Sequence, residues 1–90
     1  MLVRREVAIV NRLGMHARAA AAFVKLAGRF QCSVEVEKDG VVVNGKSIMG
    51  LMMLAAARGS TVTLICNGPD AEPAAAALEQ LIRERFGEPE

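Results

Sequence analysis

The dipeptide Asp39-Gly40 stands between Cys32-Ser33-Val34-Glu35-Val36-Glu37 and Val41-Val42-Val43. It narrows the accessible folds more than any other feature of the chain. The first run alternates apolar and polar residues and the second is β-branched throughout, so both read as strands. Asp-Gly between two such runs signals a two-residue hairpin, whose turn positions take φ > 0. An antiparallel pair is therefore fixed near the middle of a 90-residue chain.

On either side of the hairpin the period changes. Val3, Val7 and Ile9 share one face of a strand over Val3 to Val10, which Asn11-Arg12-Leu13-Gly14 breaks. From His16 onward Ala19, Phe23, Leu26 and Phe30 recur at helical spacing, the alanines Ala19 to Ala22 favour the helix, and Gly28 marks its end. Beyond the hairpin, Asn44-Gly45 is a second turn, and Ser47 is placed to cap a helix over Ile48 to Ala57 that stops at Arg58-Gly59. Thr61 to Cys66 is a fourth strand. Asp70 is placed to cap a third helix, with Pro73 in its first turn and Ala75, Leu78 and Ile82 inward.

The order is β-α-β-β-α-β-α. A helical crossover makes strands one and two parallel in direction, and inserting the fourth strand between them restores an antiparallel sheet. All helices then cover one face of a two-layer α/β (α+β) sandwich. One domain spanning 1–90 is expected, with 87–90 a tail.

Composition removes several function classes. Eleven Lys+Arg against ten Asp+Glu leave a net charge of +1, and only three Phe supply aromatic surface. Neither a basic field nor a stacking platform for nucleic acid is present, so a β-α-β RNA-binding module is disfavoured. Charges in Met1-Leu2-Val3-Arg4-Arg5-Glu6 sit where a signal peptide needs apolar residues. The apolar run Ile48 to Ala57, interrupted by Gly50, is too short to cross a bilayer. A cytoplasmic protein is expected, with Cys32 and Cys66 as buried reduced thiols. A single histidine without clustered ligands argues against a metal site, and no cofactor is expected.

Chemistry concentrates in Gly14-Met15-His16-Ala17-Arg18, where a loop feeds a helix N-terminus. Unpaired amides there, at Ala17 and Arg18, together with the positive end of the helix dipole, suit an anion. The same dipole favours a neutral imidazole, which keeps a lone pair for nucleophilic attack. Arg18 adds a planar donor fork for a phosphoryl group, and Gly14 permits close backbone approach. These residues describe a histidine that accepts a phosphoryl group; a surface histidine beside a solvated arginine is the plainer alternative.

Gly14-Met15-His16-Ala17-Arg18-Ala19-Ala20 resembles the phosphohistidine motif of the HPr family, phosphocarriers of the bacterial phosphotransferase system. Lys46-Ser47-Ile48-Met49-Gly50-Leu51-Met52-Met53-Leu54 resembles that family's regulatory-serine segment. The resemblance covers essentially the whole chain and implies a sheet of order 1-4-2-3 under three helices. It implies transfer from enzyme I, charged from phosphoenolpyruvate, to Nδ1 of His16, with Arg18 as ion-pair partner, and onward to an enzyme IIA. Such a carrier is stoichiometric rather than a turnover enzyme, and a monomer is expected. Ser47 matches the serine modified by HPr kinase/phosphorylase, so a Ser47-regulated signalling adaptor is the alternative. Two departures stand out: Ala19 replaces the usual proline, and Leu13 replaces an often polar residue.

The second helix carries too many apolar residues for one buried stripe. The resemblance implies a partner surface here, with Met49 and Met52 its exposed members and Lys25 and Lys46 at the rim steering acidic partners; a helix end buried in a small core, beside ordinary solvated lysines, is the alternative.

Overall fold

A computed structural model describes residues 1–90. The Asp39-Gly40 turn forms as its sequence demands, with φ of 52° and 83° at the two positions. It joins β2 (Ser33–Lys38) to β3 (Val41–Asn44). The remaining elements are β1 (Leu2–Ala8), α1 (Ala17–Ala27), α2 (Ile48–Met53), β4 (Thr61–Asn67) and α3 (Ala71–Arg83), followed by a 3-10 turn over Arg85–Gly87. The sheet order is β1-β4-β2-β3 with every neighbouring pair antiparallel. The fourth strand inserts as the element order required.

Register explains the core. Val3, Cys66 and Val34 form one cross-strand row, and Arg5, Leu64, Val36 and Val43 form the next. Val34, Val36, Val62, Leu64 and Cys66 are buried beneath Ala19, Ala20, Phe23, Ala74, Ala75, Leu78 and Ile82 of the helices. Small alanines on α1 and α3 let both helices approach the sheet closely, and Phe23 fills the remaining space. Burying a large apolar side chain of this kind stabilises by about 1.5–3 kcal/mol. Arg5 interrupts the inward face of β1, but its guanidinium leaves the core and bonds Glu72 at 2.6 Å and Glu79 at 3.0 Å on α3. Both cysteines are buried free thiols, and burial is the main cause that pushes Cys66 up to about 11.

Three expectations need correction. The first strand ends at Ala8 rather than Val10, although Ile9 stays buried and exchanges backbone bonds with Gly59 and Ser60. α2 ends at Met53 rather than Ala57, because Ala55 adopts a left-handed φ of 50° and turns Ala56 toward the loop before α1. There the Ala56 carbonyl accepts the Met15 amide at 2.9 Å. Asp70 occupies the position before α3 without capping it; its carboxylate accepts the Gln31 and Cys32 amides, both at 2.8 Å. Those bonds, the Gln31 amide first, hold the Asp70 carboxyl below its usual range.

Candidate functional site

The loop from Asn11 to Met15 delivers His16 to the start of α1. Gly14 takes φ of 67°, and a Cβ there would lie 2.4 Å from the Ala56 carbonyl oxygen, so only glycine fits. Met15 is buried as an apolar plug, and Asn11 is fully buried beside it. Asn11 Nδ2 donates to the Gly14 carbonyl at 2.9 Å, locking the loop from within. His16 then stands at the N-cap position in extended backbone, and its carbonyl accepts the Ala20 amide.

An N-cap side chain ordinarily accepts an amide of the first turn. His16 does not. The amides of Ala17, Arg18 and Ala19 have neither a backbone nor a side-chain acceptor, which leaves three donors at the positive end of the helix. Ala17 and Arg18 were singled out by sequence; Ala19 adds a third amide, one that the family's usual proline would lack.

The imidazole is turned toward the last residues of the chain. His16 Nε2 lies 2.5 Å from Glu88 Oε2, and Arg18 Nε is 3.5 Å from the same oxygen. Asn11 Nδ2 donates its second hydrogen to Glu88 Oε1 at 2.9 Å. Glu88 is held below the usual carboxylate range, chiefly by the Asn11 hydrogen bond, with partial burial opposing and His16 and Arg18 assisting. An ionised carboxylate accepts only, so Nε2 is the donor in this pair, and in the neutral ring the lone pair then lies on Nδ1. Arg18 is 77% exposed, whereas the Glu88 side chain is only 11% exposed.

The stretch from 87 onward is therefore more than a tail. Phe86, at φ of 56°, is buried, and Gly87, at φ of 82°, turns the chain back toward the loop. Arg12 fastens the segment twice, its amide on the Glu90 carbonyl at 3.0 Å and its guanidinium on the Glu90 carboxylate at 3.1 Å. Sequence reasoning missed both Asn11 and Glu88. A buried Asn in a turn and a Glu 77 residues away carry no local signal of their meeting.

At the second motif, Ser47 precedes α2 and its hydroxyl accepts the Gly50 amide at 3.0 Å. Leu51 anchors this short helix in the core, while Met49 is 77% and Met53 78% exposed. Met52 is exposed as expected, but Met53 is more so. Lys25 is exposed, whereas the Lys46 ammonium donates to the Phe30 carbonyl at 2.7 Å and is less available at the rim than its position suggests.

The chain as a whole resembles known proteins. Residues 3–84 match the family model described as the PTS HPr component phosphorylation site, a span that stops short of Glu88. A phosphocarrier protein HPr of Cupriavidus necator is 52% identical over 89 residues, covering 99% of this chain and all of the relative. Among solved structures, an HPr from Thermoanaerobacter tengcongensis superposes with a TM-score of 0.92 at 45% identity, covering 96% of this chain and 97% of its own. Crh of Bacillus subtilis, a swapped dimer in its crystal, gives a TM-score of 0.76 at 46% identity, with 92% and 95% covered. A four-stranded 1-4-2-3 sheet, a histidine at an uncapped helix start and near-full-length likeness to phosphocarriers lead to one conclusion: this chain belongs to the HPr family of phosphotransferase-system components.

Proposed function

We propose that this chain accepts a phosphoryl group on Nδ1 of His16 from enzyme I and passes it to an enzyme IIA, in the cytoplasm. The observation that carries the reading is the uncapped start of α1, where three amides are unpaired, one nitrogen of the His16 ring has no partner and the Arg18 guanidinium is exposed. The amides and Arg18 are suited to the equatorial oxygens of the transferred group, and Nδ1 is the nitrogen without a partner. Transfer breaks the donor's bond to phosphorus, whose electron pair stays on the donor, and forms a new N–P bond. No helix is long and apolar enough to cross a membrane, which is consistent with a carrier that meets partners by diffusion.

Mixing the chain with enzyme I and phosphoenolpyruvate tests this directly. Intact-mass analysis should show one added phosphoryl group that is acid-labile and absent from His16→Ala. A modified His16→Ala protein would refute the assignment.

Regulation at Ser47 by HPr kinase/phosphorylase is the second part of the reading. Its hydroxyl lies at the α2 start, two residues before the exposed Met49. A dianion there would meet the helix dipole favourably but would have to be desolvated by any partner that docks on the methionines. Carrier and Ser47-dependent adaptor roles are separated by the mass experiment, since an adaptor alone would gain no phosphoryl group from enzyme I.

A further inference from the structure

Glu88 has no part in the transfer just described, yet it is the carboxylate placed against the His16 ring. Its Oε2 lies 2.5 Å from Nε2 and its Oε1 receives the Asn11 side-chain amide at 2.9 Å. Asn11 is fully buried, so the carboxylate is held by an anchor inside the loop rather than by a mobile surface group. The left-handed turn at Phe86 and Gly87 and the two Arg12–Glu90 bonds bring the segment back to that anchor.

We propose that Glu88 is a positioning residue for phosphoryl transfer at His16: it holds the Nε2 proton, aims Nδ1 away from itself, and balances the charge the ring acquires when Nδ1 forms its bond to phosphorus. The inference rests on the proposed phosphorylation of His16. As the Nδ1 lone pair becomes the N–P bond, the neutral ring becomes an N-phosphoryl imidazolium. No proton leaves. The Nε2 hydrogen stays on nitrogen, and the carboxylate facing it favours the cation as a carboxylate partner does for other functional histidines. Onward transfer runs the same way in reverse: the N–P bond breaks, its pair returns to Nδ1, and the ring is neutral again. Arg18 shares Glu88 Oε2 only at 3.5 Å and is largely exposed, so it can turn to the arriving phosphoryl oxygens without disturbing the shorter Nε2 bond. The titratable and charged groups around this carboxylate are His16 and Arg18 at the α1 start, Arg12 from the loop, and Glu90 on its own segment.

The test uses the full chain with Glu88 intact and as Glu88→Gln, Glu88→Asp and Glu88→Ala. Glutamine keeps an acceptor for Asn11 and the segment's shape but removes the charge. Transfer from phosphorylated enzyme I is measured over a range of carrier concentrations, and hydrolysis of each phosphorylated carrier over a range of pH. Glu88→Gln and Glu88→Ala should lower kcat roughly tenfold, with KM within about twofold, and Glu88→Asp should recover most of the loss. The hydrolysis profile of phosphorylated Glu88→Gln should move about one unit to lower pH, because the phosphorylated ring loses the anion that favours its protonation. Unchanged kcat with an unchanged hydrolysis profile would overturn the proposal. So would a raised KM at wild-type kcat, which would make the segment part of a docking surface only. Failure of the unaltered chain to accept phosphate defeats the His16 reading itself, and is told apart because it occurs with Glu88 in place.

Discussion

At the start of α2 the Ser47 hydroxyl accepts the Gly50 amide at 3.0 Å, whereas at the start of α1 the His16 side chain accepts nothing and turns to Glu88. Both residues are N-caps in extended backbone. One satisfies its helix and the other leaves three amides open. α1 tolerates this because Ala19, Ala20, Phe23 and Ala27 pack it firmly against the sheet, and because the first two of its open amides belong to the exposed residues Ala17 and Arg18. α2 has six residues and only Leu51 buried within it, so it has less packing to offset a lost cap. An unsatisfied helix start on a well-packed helix is therefore the one available for chemistry, and a satisfied start on a weak helix is first of all a stabilising device.

The sharpest way to break this contrast is to remove both N-cap side chains in turn. His16→Ala should abolish phosphoryl acceptance while the melting temperature stays within a few degrees, since the ring caps nothing and fills no core volume. Unfolding followed by circular dichroism, alongside the mass assay, checks both halves. Arg18→Ala should retain acceptance but slow it roughly tenfold, the usual scale for losing a hydrogen bond to a charged group. A normal rate for Arg18→Ala would leave the open amides as the only phosphoryl ligands.

Ser47→Ala should cost about 1 kcal/mol of stability and leave enzyme I affinity near normal. Ser47→Asp should keep the melting temperature, because aspartate also caps, yet weaken binding because the charge sits beside Met49. Calorimetric titration with enzyme I separates the two variants. Equal affinity for both would reduce Ser47 to a helix cap and nothing more.

What the sequence made legible follows the same division between local and distant causes. The Asp39-Gly40 turn, the Val34 and Val36 alternation and the Ser47 cap depend on neighbours within a few residues, and each forms as its pattern implies. The end of α2 is not legible locally because Ile48 to Ala57 looks uniformly helical, while its true end is set by the Ala56 carbonyl reaching Met15. Asp70 carries the same capping signal as Ser47 but binds amides 38 and 39 residues away. His16 and Arg18 were readable as a motif. Asn11 and Glu88 were not, because burial and chain return rather than sequence spacing bring them to the ring.

Acid offers a milder way to sharpen the comparison, because of the two starts compared, that of α1 is held by a carboxylate of lowered pKa and that of α2 is not. Asn11 is the main cause of the Glu88 shift, with His16 and Arg18 adding to it. A carboxyl whose folded value lies below its ordinary 4.5 contributes stability that is present above that value and is lost as pH falls through the folded one. Below the ordinary range the segment should therefore loosen from His16. The Asn11 side-chain amide resonances should shift in that window while the Gly50 amide, bonded to a hydroxyl, stays put. Parallel movement of both signals would mean global acid unfolding rather than local release.

The smallest effect is expected at Ala19, where the family's usual proline can be restored. Its amide is among the three left open, so proline removes no internal hydrogen bond, and its φ suits a first helical turn. By restricting the unfolded chain, Ala19→Pro should stabilise the fold by about 0.4–1 kcal/mol. It also deletes one of the donors offered to a phosphoryl group. If Ala17, Arg18 and the guanidinium are the working ligands, transfer from enzyme I should stay within about twofold, the ordinary scale for a change away from the reacting atoms. A tenfold loss at undiminished stability would show that the third amide, which proline-bearing relatives lack, has become part of the binding set in this chain, and that the open start of α1 is wider here than the motif alone implies.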